Sequence, residues 1–439
     1  MSHKPNIGSR LFKYFLIIIV IAIIAALLYT GYGYISAKPP VVSGTETLKI
    51  LSSSSKVSFS IDCNRSIQTV NATIIQGAKV IELMNDSPQL SHKEYPITIE
   101  PLKLGLKDGT AQIIIKTSAG RFSKSEVKVD TSIDTIAPVI GVLNNSYLAF
   151  QGTAASALIE AKGATRVFVT IGKDEFEAVN KVTGKENLYF AIFPVKDDVT
   201  PTTAILAVAV DAAGNRAVSS ISTRIKEYKY KSDSINVTDD FINKKIFPLV
   251  SKGAGSITPR DALKIINEDM RTENEKFLKN TCKSVSDKML WEGVFYQMEN
   301  SKVFAGFNDS RDYKYNGEII SHSRHLGYDL AANSRSPILA ANSGIVIFTG
   351  AVGIYGNTII IDHGLGVMTQ YSHLSSISVE KGKAVKKSDV IGISGETGLA
   401  GGDHLHFATL VQGVYVSPLI WWDNKWIREK IMDVLENKS

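Results

Sequence analysis

Histidines and one aspartate with metal-ligand spacing are concentrated in the last third of this 439-residue chain. His325 and Asp329 form an H-x-G-x-D cluster, His373 lies in a Y-x-H-L motif, and His404 and His406 form an H-x-H motif. Imidazoles and a carboxylate are the ligands that zinc prefers in catalytic sites, where three protein ligands leave a fourth position for water. Further histidines beside such ligands can transfer protons or stabilise an oxyanion. The pattern therefore predicts a catalytic zinc site.

The spacing within these motifs constrains the backbone that carries them. His404 and His406 are two residues apart, so a β-strand would project both side chains from one face. His325 and Asp329 are four residues apart, and four residues of regular strand span roughly 13 Å, which is too far for two ligands of one ion. The segment between them must therefore bend, and Gly327 permits a bend.

Other histidines of this region have different interpretations. His373 continues a period-two pattern that includes Tyr371, so we expect it to end one face of a strand. His363 stands in an Asp-His-Gly pattern typical of a turn, and we expect it outside the site. His322 lies three residues before His325 and could replace it as a ligand, but it lacks the Gly-x-Asp continuation.

Residues 14–35 form an apolar segment without a charged residue, long enough to span a bilayer as a helix. The cations near it are Lys4, Arg10 and Lys13 before it and Lys38 behind it. This asymmetry predicts a cytoplasmic amino terminus and an extracytoplasmic location for everything after residue 36. A cleaved signal peptide is the alternative, because Ser36 and Ala37 are small. The length of the apolar run favours an uncleaved anchor.

Composition and cysteine usage exclude some classes of protein. A net charge of +6 is a mild bias for a chain of this length, compatible with an acidic polymer or an anionic membrane and too weak to indicate nucleic-acid binding. Cys63 and Cys282 have no C-x-x-C or Cys–His spacing, which excludes a cysteine zinc site. A Cys63–Cys282 disulfide stays open outside the cytosol, but two free thiols are favoured.

Changes in residue pattern divide the chain into five segments. They are a cytoplasmic tip with a membrane anchor (1–40), a β-sandwich (41–135), a second β-sandwich (136–226), a helical connector (227–303) and a C-terminal antiparallel β domain (304–439). Short alternating runs broken by polar turns predict the sandwiches. A Thr258-Pro-Arg-Asp helix start followed by apolar residues at helical spacing predicts the connector. The predicted fold class is multidomain and mainly β.

Two of these segments resemble known families. The Ala137-Pro-Val opening and the Asp211-Ala-Ala-Gly-Asn turn of segment 136–226 are similar to bacterial immunoglobulin-like repeats, and segment 41–135 is similar to them in pattern only. The C-terminal segment resembles the LytM/lysostaphin-type zinc metallopeptidases. The motifs that carry this second resemblance are, in order, His325-Leu-Gly-Tyr-Asp329-Leu, Pro337-Ile-Leu-Ala-Ala-Asn-Ser-Gly, Gly356-Asn, His363-Gly-Leu-Gly, Thr369-Gln-Tyr-Ser-His373-Leu, Gly395-Glu-Thr-Gly and Gly402-Asp-His404-Leu-His406-Phe.

The LytM/lysostaphin resemblance implies a role for each residue of the cluster. His325, Asp329 and His406 match the family's zinc ligands. His373 and His404 match the pair that activates water and stabilises the oxyanion, and the sequence does not say which of them is the base. Zn²⁺ is the implied cofactor.

The resemblance also implies the reaction, which is hydrolysis of peptide bonds in peptidoglycan. We therefore expect a zinc endopeptidase that is held in the inner membrane by a single helix, with its catalytic domain on the periplasmic side. The sandwiches, which lack clustered metal-ligating residues, are expected to act as spacers or to bind cell-wall or division proteins. The alternative is a LytM-like protein without catalysis that activates a cell-wall amidase, and intact ligand positions disfavour it.

Overall fold

The computed structural model describes residues 7–35, 38–121, 123–250 and 257–438. Two compact units are present: Met1–Ala137 together with Asp211–Asn215, and Pro138–Val210 together with Arg216–Ser439. The described part is mainly β, as predicted. Lys4, Ser36 and Ala37, which entered the predictions of orientation and cleavage, lie outside the described residues.

Helix α1 (Ile7–Ile35) contains the predicted apolar segment. Within it, Phe12–Tyr32 has a mean hydropathy of 2.6 over 21 residues, which is long and apolar enough to cross a membrane. Between Phe12 and Tyr32, its large apolar side chains are exposed. An apolar amino-terminal helix of this kind suits either an anchor or a signal sequence.

The first unit consists of two β-sheets around one hydrophobic cluster. Its elements are β1 (Val41–Ser43), a 3-10 helix (Thr45–Leu48), β2 (Ile50–Leu51), β3 (Ser55–Asp62), β4 (Thr69–Gln76), β5 (Lys79–Asp86), β6 (His92–Ile99), β7 (Gly109–Ser118) and β8 (Lys124–Ile133). The sheet orders are β1-β3-β6 and β2-β8-β7-β4-β5. Val57, Phe59 and Ile61 alternate inward along β3, which explains why this sequence forms a half-buried strand.

The second unit begins with another pair of sheets. Its elements are β9 (Val139–Asn145), β10 (Leu148–Phe150), β11 (Thr153–Lys162), β12 (Arg166–Ile171), β13 (Asp174–Glu177), a 3-10 helix (Lys181–Thr183), β14 (Leu188–Val195), β15 (Ile205–Val210), β16 (Arg216–Ser220) and β17 (Arg224–Lys226). The sheets β14-β11-β9 and β13-β12-β15-β16 enclose a cluster that includes Ile159, Val169 and Phe193. The immunoglobulin-like identity of both sandwiches stays a prediction.

Residues 227–303 are helical only in part. The segment starts with β18 (Ser232–Asn236), followed by helix α2 over residues 239–249 and helix α3 over residues 259–281. α2 comprises Asp239–Phe241, a π-helical stretch Ile242–Ile246 and a 3-10 turn Phe247–Leu249, and α3 comprises Pro259–Lys264, a π-helical stretch Ile265–Met270 and Arg271–Thr281. The predicted helix start at Thr258 is confirmed, because its hydroxyl accepts the Asp261 N–H.

Both cysteines are free thiols. Cys282 follows α3 and is buried, and burial raises the pKa of its thiol to about 12.

The C-terminal strands build one large antiparallel sheet and two small ones. They are β19 (Lys302–Ala305), β20 (Ser310–Tyr315), β21 (Glu318–Arg324), β22 (Tyr328–Ala331), β23 (Pro337–Leu339), β24 (Gly344–Val352), β25 (Gly356–Asp362), β26 (Val367–Leu374), β27 (Ser376–Ile377), β28 (Ala384–Val385), β29 (Val390–Ile393), β30 (Leu405–Val411) and β31 (Val414–Val416). Helical turns Gly353–Tyr355 and Pro418–Trp422 and a helical tail over residues 424–435 complete the chain. The large sheet has the order β19-β22-β30-β26-β25-β24-β28, with β31 beside β30.

The second sandwich and the C-terminal sheet share a hydrophobic cluster. Leu158 and Phe190 of the sandwich belong to the same buried cluster as Phe407 and Trp421. Gln412 adds polar links, since its amide group donates to the backbone oxygens of Glu177 and Ile192 at 3.0 and 2.9 Å. This sandwich is thus packed directly on the domain that carries the histidines.

Candidate metal centre

Three of the predicted site residues converge on one point. His325 Nε2 lies 2.9 Å from Asp329 Oδ1 and 3.0 Å from His406 Nδ1. The Asp329 Oδ1 and His406 Nδ1 atoms are 3.0 Å apart. All three side chains are buried. This His/Asp/His cluster could hold a metal ion.

The sheet register explains this convergence. Asp329 on β22 pairs directly with His406 on β30, so the two side chains lie on one face of adjacent antiparallel strands. His325 lies just before β22, where the chain has left the strand β21. The predicted bend between His325 and Asp329 is therefore present.

Gly327 is needed for space rather than for an unusual backbone angle. A Cβ atom at this position would lie 2.5 Å from the Phe407 carbonyl oxygen and 2.8 Å from His406 Nε2. Any larger residue would thus push the His406 ring or the β30 backbone away from the cluster. The chain does bend at Gly327, as the sequence predicts, and the lack of a side chain there also leaves room for the His406 ring.

Two groups outside the predicted set orient the ligands. His325 Nδ1 donates to the Gly306 carbonyl at 2.8 Å, which leaves Nε2 as the unprotonated nitrogen that faces Asp329. Arg311 on β20 donates to Asp329 Oδ2 at 3.2 Å. No sequence motif indicated Arg311, because its strand precedes the recognisable motifs and only the fold brings it to Asp329.

His373 and His404 lie beside the cluster. Their rings are 4.8 Å apart, and the His373 ring is 5.8 Å from that of His406. His404 Nε2 is 3.5 Å from Asp329 Oδ1. The structure thus brings all five predicted site residues together, while their roles stay a proposal.

His373 reaches this position through a break in its strand. Tyr371 pairs with Phe407 and Ser372 pairs with His406, so a regular strand would turn His373 toward the Tyr371 face, away from the cluster. Instead, His373 has a left-handed φ of 63°, which is uncommon for a residue with a Cβ. The expectation that His373 shares a face with Tyr371 is wrong, because this local conformation moves the imidazole to the metal side.

Backbone carbonyls fix the orientation of both extra histidines. His373 Nδ1 donates to the Thr397 carbonyl and His404 Nδ1 donates to the Gly402 carbonyl, each at 2.8 Å. The Nε2 atom of each ring is then available to a substrate or to water. Thr397 lies in the Gly-Glu-Thr-Gly motif, so this contact gives that motif a structural reason.

Burial and the neighbouring charges shift the pKa values of these site residues in different directions. Burial lowers the pKa of His373 to about 3 and that of His406 to about 4. For His404, burial is outweighed by Asp329, which raises the pKa. Burial alone would raise the pKa of Asp329, but the interactions with His325, His404 and His406 hold it well below its usual range.

The chemistry of the donor set fits a zinc ion. Two unprotonated acceptors, His325 Nε2 and Asp329 Oδ1, face each other at 2.9 Å, which is unfavourable unless a cation or a proton lies between them. A tetrahedral ion with bonds of about 2.0–2.1 Å separates its ligand atoms by roughly 3.3 Å, close to the distances found here. Histidine nitrogen and carboxylate oxygen are also ligands that suit zinc.

The cluster lies in a cavity of about 320 Å³. The connector contributes to its walls through Val237, Thr238 and Phe241, next to β18, and through Arg271 on α3. Tyr355 forms another wall, with its ring 5.4 Å from that of His406. A segment predicted only to connect domains therefore shapes the site.

The remaining two histidines of the region lie elsewhere. His322 is exposed and bonds Asp312 Oδ1 at 2.8 Å, so it does not replace His325 in the cluster. His363 is fully buried, with Nδ1 near the Ser343 carbonyl and Nε2 near the Thr369 hydroxyl. Both positions agree with the sequence-based expectation.

The second sandwich supports the backbone around His325. Asp197, in the loop after β14, accepts hydrogen bonds from Arg324 and from the Asn308 side-chain amide. The Asn308 N–H in turn donates to the His325 carbonyl at 2.6 Å. The loop that presents His325 is thus held by a residue more than a hundred positions earlier in the chain.

Comparison with known proteins matches the segment that contains this cluster. Residues 323–418 match the profile of peptidase family M23. The peptidoglycan DD-endopeptidase ShyA of Vibrio cholerae is 40% identical over 112 residues, which cover 26% of this chain and 25% of that protein. The DD-carboxypeptidase/endopeptidase Mpg of Neisseria meningitidis is 36% identical over 117 residues, 27% of each chain. The similarity thus spans about a quarter of these curated relatives.

Among solved structures, the catalytic domain of lysostaphin from Staphylococcus simulans is 30% identical, with a TM-score of 0.25, and covers 29% of this chain and 96% of that domain. All five site residues, His325, Asp329, His373, His404 and His406, lie inside the segment that matches the family profile. The chain therefore carries a domain of peptidase family M23 at its C-terminal end.

Proposed function

We propose that the chain is a zinc-dependent endopeptidase that hydrolyses stem peptides or peptide cross-links of peptidoglycan. One observation carries the proposal: His325 Nε2, Asp329 Oδ1 and His406 Nδ1 lie within 3.0 Å of one another, with two more histidines beside them. Relatives with a named peptidoglycan DD-endopeptidase activity support the substrate class. A domain that lacked one of these three ligands would not support the proposed catalysis.

The site residues have distinct tasks in this proposal. Zinc in such a site supplies Lewis acidity, which activates water near neutral pH and polarises a carbonyl. His373 and His404 present Nε2 to the substrate, where each can hold or transfer a proton or donate to the oxyanion. Arg311 orients Asp329 through a hydrogen bond to Oδ2, and the Gly306 carbonyl keeps His325 in the ligating tautomer.

We further propose that α1 anchors the protein in the inner membrane, with both β-rich regions and the M23 domain on the extracytoplasmic side. The support is the length and hydropathy of Phe12–Tyr32 and the excess of cations before it. Peptidoglycan lies on that side of the membrane. Cell-wall or division proteins that bind the sandwiches belong to the same proposal.

A second candidate function is a regulator that uses the same cavity to engage an amidase. It is favoured only by the connector residues Val237, Thr238 and Phe241, which line the same cavity as the histidines. The intact ligand set argues for catalysis instead.

The test uses the full-length chain, purified in detergent and incubated with peptidoglycan sacculi. We expect about one zinc per chain and new peptide termini, identified by mass spectrometry of the released fragments. Chelation and His325→Ala should each abolish both zinc binding and cleavage. A zinc-loaded protein that releases nothing alone, but increases release by an added amidase, would overturn the enzyme and establish the regulator.

A further inference from the structure

Arg271 places a guanidinium group in the wall of the metal cavity. It is the first residue after the π-helical stretch of α3, and it lines the same cavity as His325, Asp329 and His406. π-Helical turns occur frequently at functional sites, where they redirect the side chains that follow. The residue lies outside the segment 323–418 that matches the family profile, so its presence here is a property of this chain.

The guanidinium is held in place by a buried asparagine. Arg271 Nη2 and Nε donate to Asn267 Oδ1 at 2.7 and 3.2 Å. Asn267 is 1% exposed, and its amide group donates to Ser321 Oγ on β21 at 2.8 Å. Since β21 leads directly to His325, the arginine has a fixed position relative to the metal ligands. A preorganised group loses little conformational entropy when it binds a ligand.

Within the described part of the chain, this guanidinium has no carboxylate in direct contact, although its charge acts on Glu275 from a longer distance. Among the described residues, no carboxylate oxygen forms an ion pair with Arg271. Glu275, one helical turn away, pairs with Lys279 at 3.5 Å instead. The other arginine of the cavity, Arg311, is paired with Asp329. A half-buried, unpaired cation is unfavourable unless a ligand supplies the opposite charge.

We infer that Arg271 binds a carboxylate of the peptide substrate and thereby selects and positions it at the metal centre. The inference rests on the proposed peptidase function. The charged residues that line the cavity are Arg271, Arg311 and Asp329, so the cavity is positive overall even before a metal ion is added. A guanidinium presents parallel N–H groups that match the two oxygens of a carboxylate, and stem peptides of peptidoglycan carry carboxylates near their scissile bonds.

The test compares matched substrates on the full-length protein. One is a synthetic cross-linked stem peptide with every carboxylate free, and the others are analogues in which a single carboxylate is a primary amide. We expect one analogue to bind the metal-free protein and to be hydrolysed by the zinc-loaded protein about 10- to 100-fold less well than the free acid. Arg271→Gln should show the same loss on the free acid and no further loss on that analogue.

Two other variants sharpen the result. Lys276→Gln removes a positive charge from the exposed side of the same helix and should discriminate the substrates as the parent does. Arg271→Lys keeps the charge without the two-pronged geometry and should restore part of the affinity. Equal binding of all analogues by the parent protein, or an equal loss on every analogue in Arg271→Gln, would overturn the inference.

The two readouts separate this inference from the proposed function. Binding to the metal-free protein needs no catalysis. Selective, Arg271-dependent binding without hydrolysis would therefore refute the endopeptidase and leave the carboxylate site standing. Hydrolysis of the free acid and of every amide analogue at the same rate would instead refute the carboxylate site and support the endopeptidase.

Discussion

The residues at the metal centre and part of their surroundings come from different regions of the chain. The five histidine and aspartate side chains lie on β22, β26 and β30 or beside them, within residues 323–418. That segment also supplies Tyr355, Thr397 and Gly402 around them, whereas other groups that orient them or line the cavity come from earlier segments: Asp197, Val237, Arg271, Gly306 and Arg311. The first region carries the His/Asp/His cluster and matches the M23 profile, while the second adds hydrogen bonds to that cluster and walls to its cavity.

The largest expected effect concerns the C-terminal segment expressed alone. A fragment of residues 304–439 lacks the buried side chains Leu263, Ile266, Leu278, Trp291 and Phe295, each at most 4% exposed. Their burial contributes about 10 kcal/mol in total, which is comparable with the whole stability of a typical domain. We therefore expect this fragment not to fold. Its circular dichroism spectrum should lack the signal of the folded sheet, and urea should produce no cooperative unfolding transition.

A longer fragment provides the control. A fragment of residues 138–439 contains the second compact unit and lacks residues 1–137. It should unfold cooperatively and bind zinc. If residues 304–439 alone unfold cooperatively at the same urea concentration, the surrounding segments are dispensable and the contrast between the two regions fails.

The next largest effect is the difference between alanine variants of the metal ligands and those of the two histidines beside them. His406→Ala should lose zinc, because one of three ligand atoms is gone. His404→Ala and His373→Ala should keep zinc and lose turnover by about 10²–10⁴-fold, the usual range for a proton-transfer or oxyanion group. Zinc content and hydrolysis of a soluble stem peptide measure both. A His373→Ala variant as fast as the parent would contradict the two-histidine mechanism.

The sequence could predict the metal cluster because its information is local. Side-chain type and a spacing of two or four residues restrict where His325, Asp329, His404 and His406 can point. His373 was a candidate from its motif, but its role came only from the family resemblance, since its side chain faces the site through a left-handed backbone conformation that no spacing rule anticipates. Strand periodicity therefore does not predict the side-chain direction of a residue with a left-handed backbone conformation.

The surrounding residues could not be predicted for a physical reason. Arg311 and Asp197 act through contacts with partners 18 and more than a hundred positions away, and such contacts depend on the complete tertiary fold. The same holds for the connector. Its helix start at Thr258 was predictable from capping chemistry, but its packing against the metal cavity was not.

A smaller effect is expected at Arg311, which tests whether a residue outside the matched segment tunes the metal. Arg311→Gln removes the charged partner of Asp329 Oδ2 and should weaken zinc binding about 10- to 100-fold in a chelator competition. Arg260→Gln is the matched control, because it breaks an arginine–carboxylate pair with Glu318 on the surface. Equal zinc affinities in both variants would mean that Arg311 does not act on the metal site.

The smallest effect concerns His363, the buried histidine outside the cluster. Burial lowers its pKa from 6.5 to about 4, so between these values the unfolded chain binds a proton that the folded chain excludes. The contribution of the neutral imidazole to stability is therefore complete above pH 6.5 and is lost as the pH falls to about 4, about 3 kcal/mol in total. His363→Asn lacks this titration. Its free energy of unfolding should fall less than that of the parent between pH 7 and pH 4, while its zinc-dependent turnover at pH 7 is retained.

Tryptophan fluorescence of the metal-free, full-length protein during urea unfolding measures this difference. The four tryptophans, Trp291, Trp421, Trp422 and Trp426, all lie in the unit that contains His363, so the signal reports on that unit. Metal-free protein is required because zinc release at low pH would add its own pH dependence to both proteins. Parallel pH profiles for parent and variant would show that His363 titrates normally. A loss of turnover in a stable His363→Asn protein would instead place this histidine with the five at the metal centre.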